Sequence, residues 1–308
     1  MQRVITLTMN PAIDKSSSVE KVIAERKLYC KPPHFEPGGG GINVSRAIRK
    51  LGGESTALFP SGGPTGDYLL ELLAQEGLDC LPVPVEGRTR ENLVVLEETT
   101  GLQFRFGMPG PPLREAEWQR CLEVLAETRE KPAYIVASGS LPSGVPSDFY
   151  ARVARIGNSL GARVIVDTSG EALHQALQEG VYLVKPNIRE LGELMGREPA
   201  DEKSQVEIAM ELVRTGKTAV VALSLGAAGV LLASADGSER LRTPVVPIRS
   251  KVGAGDSMVA GIVLSLAQGH SLREAIRYGL AAGAAAVMTP GSELCRREDV
   301  ERLYGQMT

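Results

Sequence analysis

Two glycine-rich segments bracket the chemistry this chain could perform. Val252-Gly253-Ala254-Gly255-Asp256 runs directly into an apolar stretch of helical character. Small residues at a helix start leave backbone N–H groups free, and the positive end of the helix dipole adds to them, so such a segment can hold an anion. A carboxylate at its mouth, Asp256, can take a proton from a hydroxyl while the amides of Gly253, Ala254 and Gly255 hold the phosphoryl group being attacked. The competing reading makes Asp256 a plain helix N-cap. Earlier, Gly38-Gly39-Gly40-Gly41-Ile42-Asn43 enters another helix, and its four missing side chains would let a ligand touch the backbone. A dinucleotide fingerprint would need glycine at 43; the Asn43 carboxamide suits sugar hydroxyls better than a pyrophosphate.

Charged residues near strand ends extend the pattern. Asp14, just past the first strand, can accept two vicinal hydroxyls or merely stabilise a turn. Lys185-Pro186-Asn187 closes a strand and Glu190 follows on a helix: Lys185 and Asn187 can reach phosphate oxygens and Glu190 can hold Mg²⁺ through water, or the segment is only a cap. Ser224, Gly226 and Gly229 leave room for a flat or phosphorylated ligand at a sheet edge. Arg90 and Arg105 are placed to grip a phosphate bidentately or to be solvated. Gly216-Lys217-Thr218 imitates the end of a phosphate loop, but Glu211 occupies the required glycine position and the context runs from helix to strand.

These residues need a scaffold, and alternating periodicities provide one. Strands are predicted over 4–8, 133–137, 163–166, 182–185 and 219–224. Between and beside them, helices are predicted from about 42, over 66–76, 147–160, 171–178 and 202–214. This βαβα rhythm predicts an α/β fold with a mainly parallel sheet covered on both faces. A hairpin is expected over 230–235 and 240–246 around Asp236-Gly237. Two buried, small-residue helices follow over 256–268 and 272–287, the second opened by the capping box Ser271…Glu274. The segments 16–33 and 91–106 instead alternate as strands without an intervening helix. They predict a small separate sheet, a lid or a dimerisation surface.

The chain has 308 residues, 34 Lys plus Arg, 37 Asp plus Glu and a net charge of -3, which argues against nucleic-acid binding. Cys30, Cys80, Cys121 and Cys295 and the three scattered histidines form no metal or redox motif. The uncharged run from Thr218 to Ala235 is long enough to raise a membrane span, but its glycines and flanking Val/Leu runs read as two buried strands joined by a turn. A cytoplasmic enzyme with reduced thiols is expected.

The paired glycine motifs, Lys185-Pro186-Asn187…Glu190 and Ser224…Gly229 together resemble the PfkB (ribokinase-like) carbohydrate kinase family, over essentially the whole chain. Phe35 to Asn43, Gly139-Ser140-Leu141-Pro142, Asp167 to Glu171 and Gly255 to Met258 are most similar to its fructose 6-phosphate kinases. Relatives acting on fructose 1-phosphate or tagatose 6-phosphate usually carry Lys where Gly40 stands. The resemblance implies a three-layer ribokinase-like sandwich, one domain over 1–308 with a discontinuous β lid from about 15–34 and 88–107, and a homodimer through that lid. It implies MgATP and fructose 6-phosphate as substrates in a glycolytic step, with Asp256 as general base. Asp14, Gly39, Gly40, Asn43 and Gly139 would orient the sugar, and Arg90 and Arg105 would meet its phosphate. Lys185, Asn187, Ser224, Gly226 and Gly229 would hold ATP, with Lys27 reaching the neighbouring subunit's nucleotide and Glu190 organising Mg²⁺. A K⁺ site would use carbonyls of Ser250, Val252, Ala286, Thr289, Gly291 and Glu293.

Overall fold

The computed structural model describes residues 1–291 and 293–307. The first half contains β1 (Val4–Leu7), β2 (Ala12–Val19), β3 (His34–Gly38), α1 (Gly40–Lys50), β4 (Thr56–Ser61), α2 (Gly63–Gln75) and β5 (Asp79–Pro84). It continues through β6 (Arg90–Glu97), β7 (Gln103–Phe106), α3 (Glu115–Ala126), β8 (Tyr134–Ser138) and α4 (Phe149–Leu160). The second half contains β9 (Arg163–Asp167), α5 (Gly170–Gln178), β10 (Val181–Val184), α6 (Ile188–Met195), α7 (Glu202–Arg214) and β11 (Thr218–Ser224). β12 (Val230–Ser234), β13 (Gly237–Leu241), α8 (Ala254–Ala267), α9 (Leu272–Val287) and α10 (Arg297–Gln306) complete it.

Nine strands form the main sheet in the order β13-β12-β11-β10-β9-β8-β1-β4-β5. Only β12 runs against the others, antiparallel to β11 on one side and to β13 on the other. Alternate residues of each strand serve opposite faces. Val4 and Val136 pack with Val44 and Ile48 of α1, Val259 and Ile262 of α8 and Ile276 of α9. Ile5, Leu7 and Ile135 pack instead with Trp118 of α3, Phe149 and Val153 of α4, Leu173 of α5 and Ile208 of α7. Helices therefore cover both faces, giving the expected three-layer sandwich. The uncharged stretch 218–235 is indeed two buried strands, and no helix among the described residues is long and apolar enough to cross a membrane.

α8 and α9 touch backbone to backbone. A Cβ added at Gly261 would lie 2.9 Å from Gly279 Cα, and one at Gly279 2.4 Å from an Ile262 side-chain carbon. This contact, with burial of every residue from Ser257 to Ala267, fixes the helix whose start carries the second glycine motif.

A second sheet of four strands, β3-β2-β6-β7, stands apart from the first. β2 and β6 run parallel from the Ala12–Arg90 pair to the Val19–Glu97 pair, so the two chain excursions meet at its centre. The strands lie at different places from those expected over 16–33. β2 begins at Ala12, the return strand begins only at His34, and 20–33 forms neither helix nor strand. Asp14 is consequently on a strand of the small sheet, not in a turn after β1. The 230–246 hairpin is also tighter than expected: Ser234 pairs with Gly237, so β13 ends at Leu241 and 242–249 is irregular. A two-residue turn fixes that register.

Candidate active site

The start of α8 is held open for an anion. Gly253 is its N-cap, at φ 71, and Asp256 is the third helical residue. Its carboxylate makes no capping bond, which removes the N-cap reading. Ser257 N–H closes on the Gly253 carbonyl at 2.8 Å, whereas the N–H groups of Ala254, Gly255 and Asp256 find no acceptor among the described residues. These are the orphan donors of a helix terminus.

Asp256 Oδ2 accepts a hydrogen bond from Asn43 Nδ2 at 2.9 Å. Its carboxyl is pushed up from 3.8 to about 6, first by burial and then by the Asp167 carboxylate, against the Asn43 hydrogen bond and the Lys185 ammonium. It therefore ionises below neutrality yet binds a proton more readily than an ordinary Asp. Lys185 Nζ lies 3.2 Å from Asp167 Oδ1. Burial pulls the Lys185 ammonium down, but Asp167, with Asp256 and Glu190 beyond it, outweighs this and holds its pKa above the ordinary value.

Asp167 is a site residue to which the sequence pattern assigned no role. It is the last residue of β9, and its position at the carboxyl end of a parallel strand was the available signal.

The first glycine run also serves packing. A Cβ at Gly40 would sit 2.4 Å from Ser138 Oγ and 2.9 Å from Gly139 N; at Gly41, 2.5 Å from the Leu7 carbonyl; at Gly38, 2.5 Å from the Asp14 carboxylate. Gly39 has φ 111. The missing side chains chiefly allow α1 and β3 to press against β1, β8 and β2. Gly139, at φ 105, faces Gly40 from β8's end, and its carbonyl accepts from Tyr150 Oη and Thr168 Oγ1.

Asp14, Arg90 and Arg105 line one cleft of about 230 Å³ with Asn92, Val252 and Gly291, between the small sheet and the main body. Burial raises Asp14 above the ordinary value, opposed by the Asn92 amide bonded to it at 2.8 Å and by Arg90. Arg90 is held by the Asn10 and Met108 carbonyls, with its Nε buried and unpartnered; the Arg105 guanidinium bonds Gln103 alone among the described residues. A carboxylate opposite two guanidinium groups is a polar cleft suited to a hydroxylated, phosphorylated molecule.

On the other side of Lys185, Asn187 and Glu190 form the reciprocal capping box of α6. The capping alternative is thus realised, but Glu190 uses only Oε2 in it. Ser224 bridges to Asn187 and bonds its N–H to the Pro186 carbonyl, placing β11's end beside the α6 start. Gly226 and Gly229 have φ 60 and 105 in the turn that follows.

Among the carbonyl-ligand candidates, Ser250 Oγ donates to the Gly291 carbonyl and Thr289 Oγ1 to the Ala286 carbonyl. Glu293 pairs its side chain with Arg296. No His/Cys/Asp/Glu group among the described residues could by itself hold a metal. Lys27 stands apart from all of these in the 20–33 segment, over the Tyr29 ring.

The chain is similar to known proteins over nearly its whole length. The ATP-dependent 6-phosphofructokinase isozyme 2 of Mycobacterium tuberculosis is 47% identical over 302 residues, which cover 98% of this chain and 89% of that one. The crystal structure of Escherichia coli phosphofructokinase-2 in complex with fructose-6-phosphate is 42% identical with TM-score 0.95, covering 100% of this chain and 99% of that chain. The same Escherichia coli enzyme in complex with potassium gives TM-score 0.96 at 43% identity, covering 99% of each chain. The family model for pfkB family carbohydrate kinases matches residues 3–299, and the chain is a member of that family.

Proposed function

We propose that this chain transfers the γ-phosphoryl group of ATP to the C1 hydroxyl of fructose 6-phosphate, giving fructose 1,6-bisphosphate and ADP. The observation that carries the reading is the Asp256 carboxylate beside the unpartnered N–H groups that open α8. The C1 oxygen attacks the γ-phosphorus as the bond to the leaving ADP oxygen breaks, and Asp256 takes the hydroxyl proton. The Ala254 and Gly255 amides and the positive end of α8 hold the charge on the phosphoryl oxygens. Gly253 supplies the left-handed turn that aims them.

Asp14, Gly39, Gly40, Asn43 and Gly139 orient the sugar, and Arg90 and Arg105 hold its 6-phosphate. The small sheet then acts as the lid of a single-domain kinase, excluding water. Lys185, Asn187, Ser224, Gly226 and Gly229 line the ATP side. Mg²⁺ fits Glu190 through water, since one carboxylate oxygen is left by the capping box, and would neutralise phosphate charge there. Potassium fits the carbonyls of Ser250, Val252, Ala286, Thr289, Gly291 and Glu293 through the second lone pair that each carbonyl keeps. Exposed Leu96, Leu102 and Phe106 on the small sheet support a homodimer formed there, which would bring Lys27 to the neighbouring nucleotide. Such a kinase works in the cytoplasm, where ATP and sugar phosphates are held.

A coupled ADP assay across fructose 6-phosphate, tagatose 6-phosphate, fructose 1-phosphate and unphosphorylated fructose tests the reading. The highest kcat/KM is expected for fructose 6-phosphate; a higher value for either other phosphate reassigns the sugar, and no turnover on any makes the chain a non-catalytic sensor.

A further inference from the structure

Arg46 lies in the middle of α1, 2% exposed, and is the bulkiest of the fully buried side chains. A guanidinium placed so deep must have its donors matched. Its Nε bonds both Glu76 carboxylate oxygens at 3.0 and 2.9 Å, and one terminal nitrogen bonds Glu76 again at 2.7 Å. Glu36 of β3 stands 3.6 Å from the same nitrogen. The other terminal nitrogen donates to the Pro37 carbonyl at 2.8 Å and to Asn43 Oδ1 at 3.4 Å.

Asn43, one turn earlier on α1, thus stands between Arg46 and Asp256, bonded to both. A carboxamide has one donor end and one acceptor end. Flipped by half a turn, it would set its NH₂ against the guanidinium and its oxygen against the Asp256 carboxylate. We propose that Arg46 is a positioning residue for phosphoryl transfer: its fork fixes the Asn43 carboxamide in the orientation that donates to Asp256 and ties it to β3, where the small sheet joins the main body. The proposal rests on Asp256 being the proton acceptor. Because β3 pairs with the strand that carries Asp14, one buried cation connects the sugar-facing sheet with the proton-accepting carboxylate.

The test is the pH dependence of kcat. Asp256 is faced by Asn43 from α1, Asp167 from β9, Lys185 from just past β10 and Asp14 from β2. The Arg46→Lys variant leaves all four in place and keeps the buried positive charge, but loses the planar fork. A weakened Asn43 hydrogen bond disfavours the carboxylate, so the acid limb should move up by about half to one pH unit, because a hydrogen bond to the charged form lowers a pKa. In an Asn43→Ala background the same substitution should move it no further. An unchanged acid limb in Arg46→Lys, or a shift that persists without the Asn43 carboxamide, overturns the proposal. Should Arg46→Lys not fold, Glu76→Gln loosens the guanidinium from its 29%-exposed side; a smaller upward shift supports the proposal and none overturns it. The Asp256→Asn variant separates the two claims: if it turns over normally the base assignment falls, and if it is inactive while the Arg46 profile is unmoved, only the positioning role falls.

Discussion

Replacing Asp256 by Asn should weaken catalysis and strengthen the fold together. General-base assistance is worth about 10²–10⁴ in rate, so kcat should fall by that factor while the KM for fructose 6-phosphate changes little. The stability side follows from the electrostatics. A carboxyl raised from 3.8 to about 6 is disfavoured as the anion by at most about 3 kcal/mol, less whatever water in the cleft screens. Between those pH values the folded protein holds a proton that the unfolded chain has released. Stability from this group is therefore greatest below pH 3.8, and the penalty is complete above about pH 6. Asn cannot ionise and keeps an oxygen for the Asn43 amide. At pH 7.5 the variant should melt several degrees above the parent, given roughly 2–4 °C per kcal/mol in chains of a couple of hundred residues. At pH 5 about half of that advantage should remain. Coupled ADP release and thermal melting at the two pH values read both effects. Turnover within tenfold of the parent would remove Asp256 from the chemistry. A variant that melts below the parent at pH 7.5 would show that Asp167 and burial do not strain this carboxylate.

The glycine run and the arginines give two further expectations. Gly41→Ala would set a Cβ 2.5 Å from the Leu7 carbonyl and 2.7 Å from Thr8 Oγ1, so it should destabilise by about 1–3 kcal/mol in urea titration despite alanine's better helix propensity. Gly305→Ala, with open space around it in α10, should instead stabilise by up to about 1 kcal/mol; equal midpoints for the two variants would refute the packing argument. Arg105→Ala removes a guanidinium that bonds only Gln103 among the described residues, so the KM for the phosphorylated sugar should rise about tenfold or more with kcat nearly unchanged, as expected for losing a charge-assisted bond. An unaltered KM would take Arg105 out of the phosphate site.

Most of the scaffold was legible because period and punctuation agreed. α7 and α9 begin and end where their sequence patterns do, the latter on its Ser271–Glu274 capping box. β4 and β5 escaped notice because Pro60, Pro82 and Pro84 argue against strands. The structure tolerates them: β5 is an edge strand, and Pro60 lies beyond the stretch of β4 that pairs with β1. The start of β2 was hidden by its composition, since Asn10-Pro11 followed by Asp14 reads as a turn after β1 until the pairing of Ala12–Val19 with β6 is known. The residues around the phosphoryl position could be named from strand ends and helix starts. What local pattern could not supply was distance in sequence: Asn43 to Asp256, Asp167 to Lys185, and the buried Arg46, which any single-helix reading counts as part of a polar face. The packing role of the first glycines was not legible for a related reason, because a missing side chain looks the same whether it admits a ligand or a neighbouring strand.

The side-by-side pairing of β2 with β6 makes the two excursions one heritable unit. Neither half can form the sheet alone, since its central seam joins residues nearly eighty positions apart in the chain. Recombination between relatives that exchanged only 12–38 or only 90–106 would leave a mismatched seam under Asp14 and Arg90. Exchanging both together, on an unchanged α8–α9 base, is the route by which sugar preference could travel between members of this family without disturbing the phosphate-donor side.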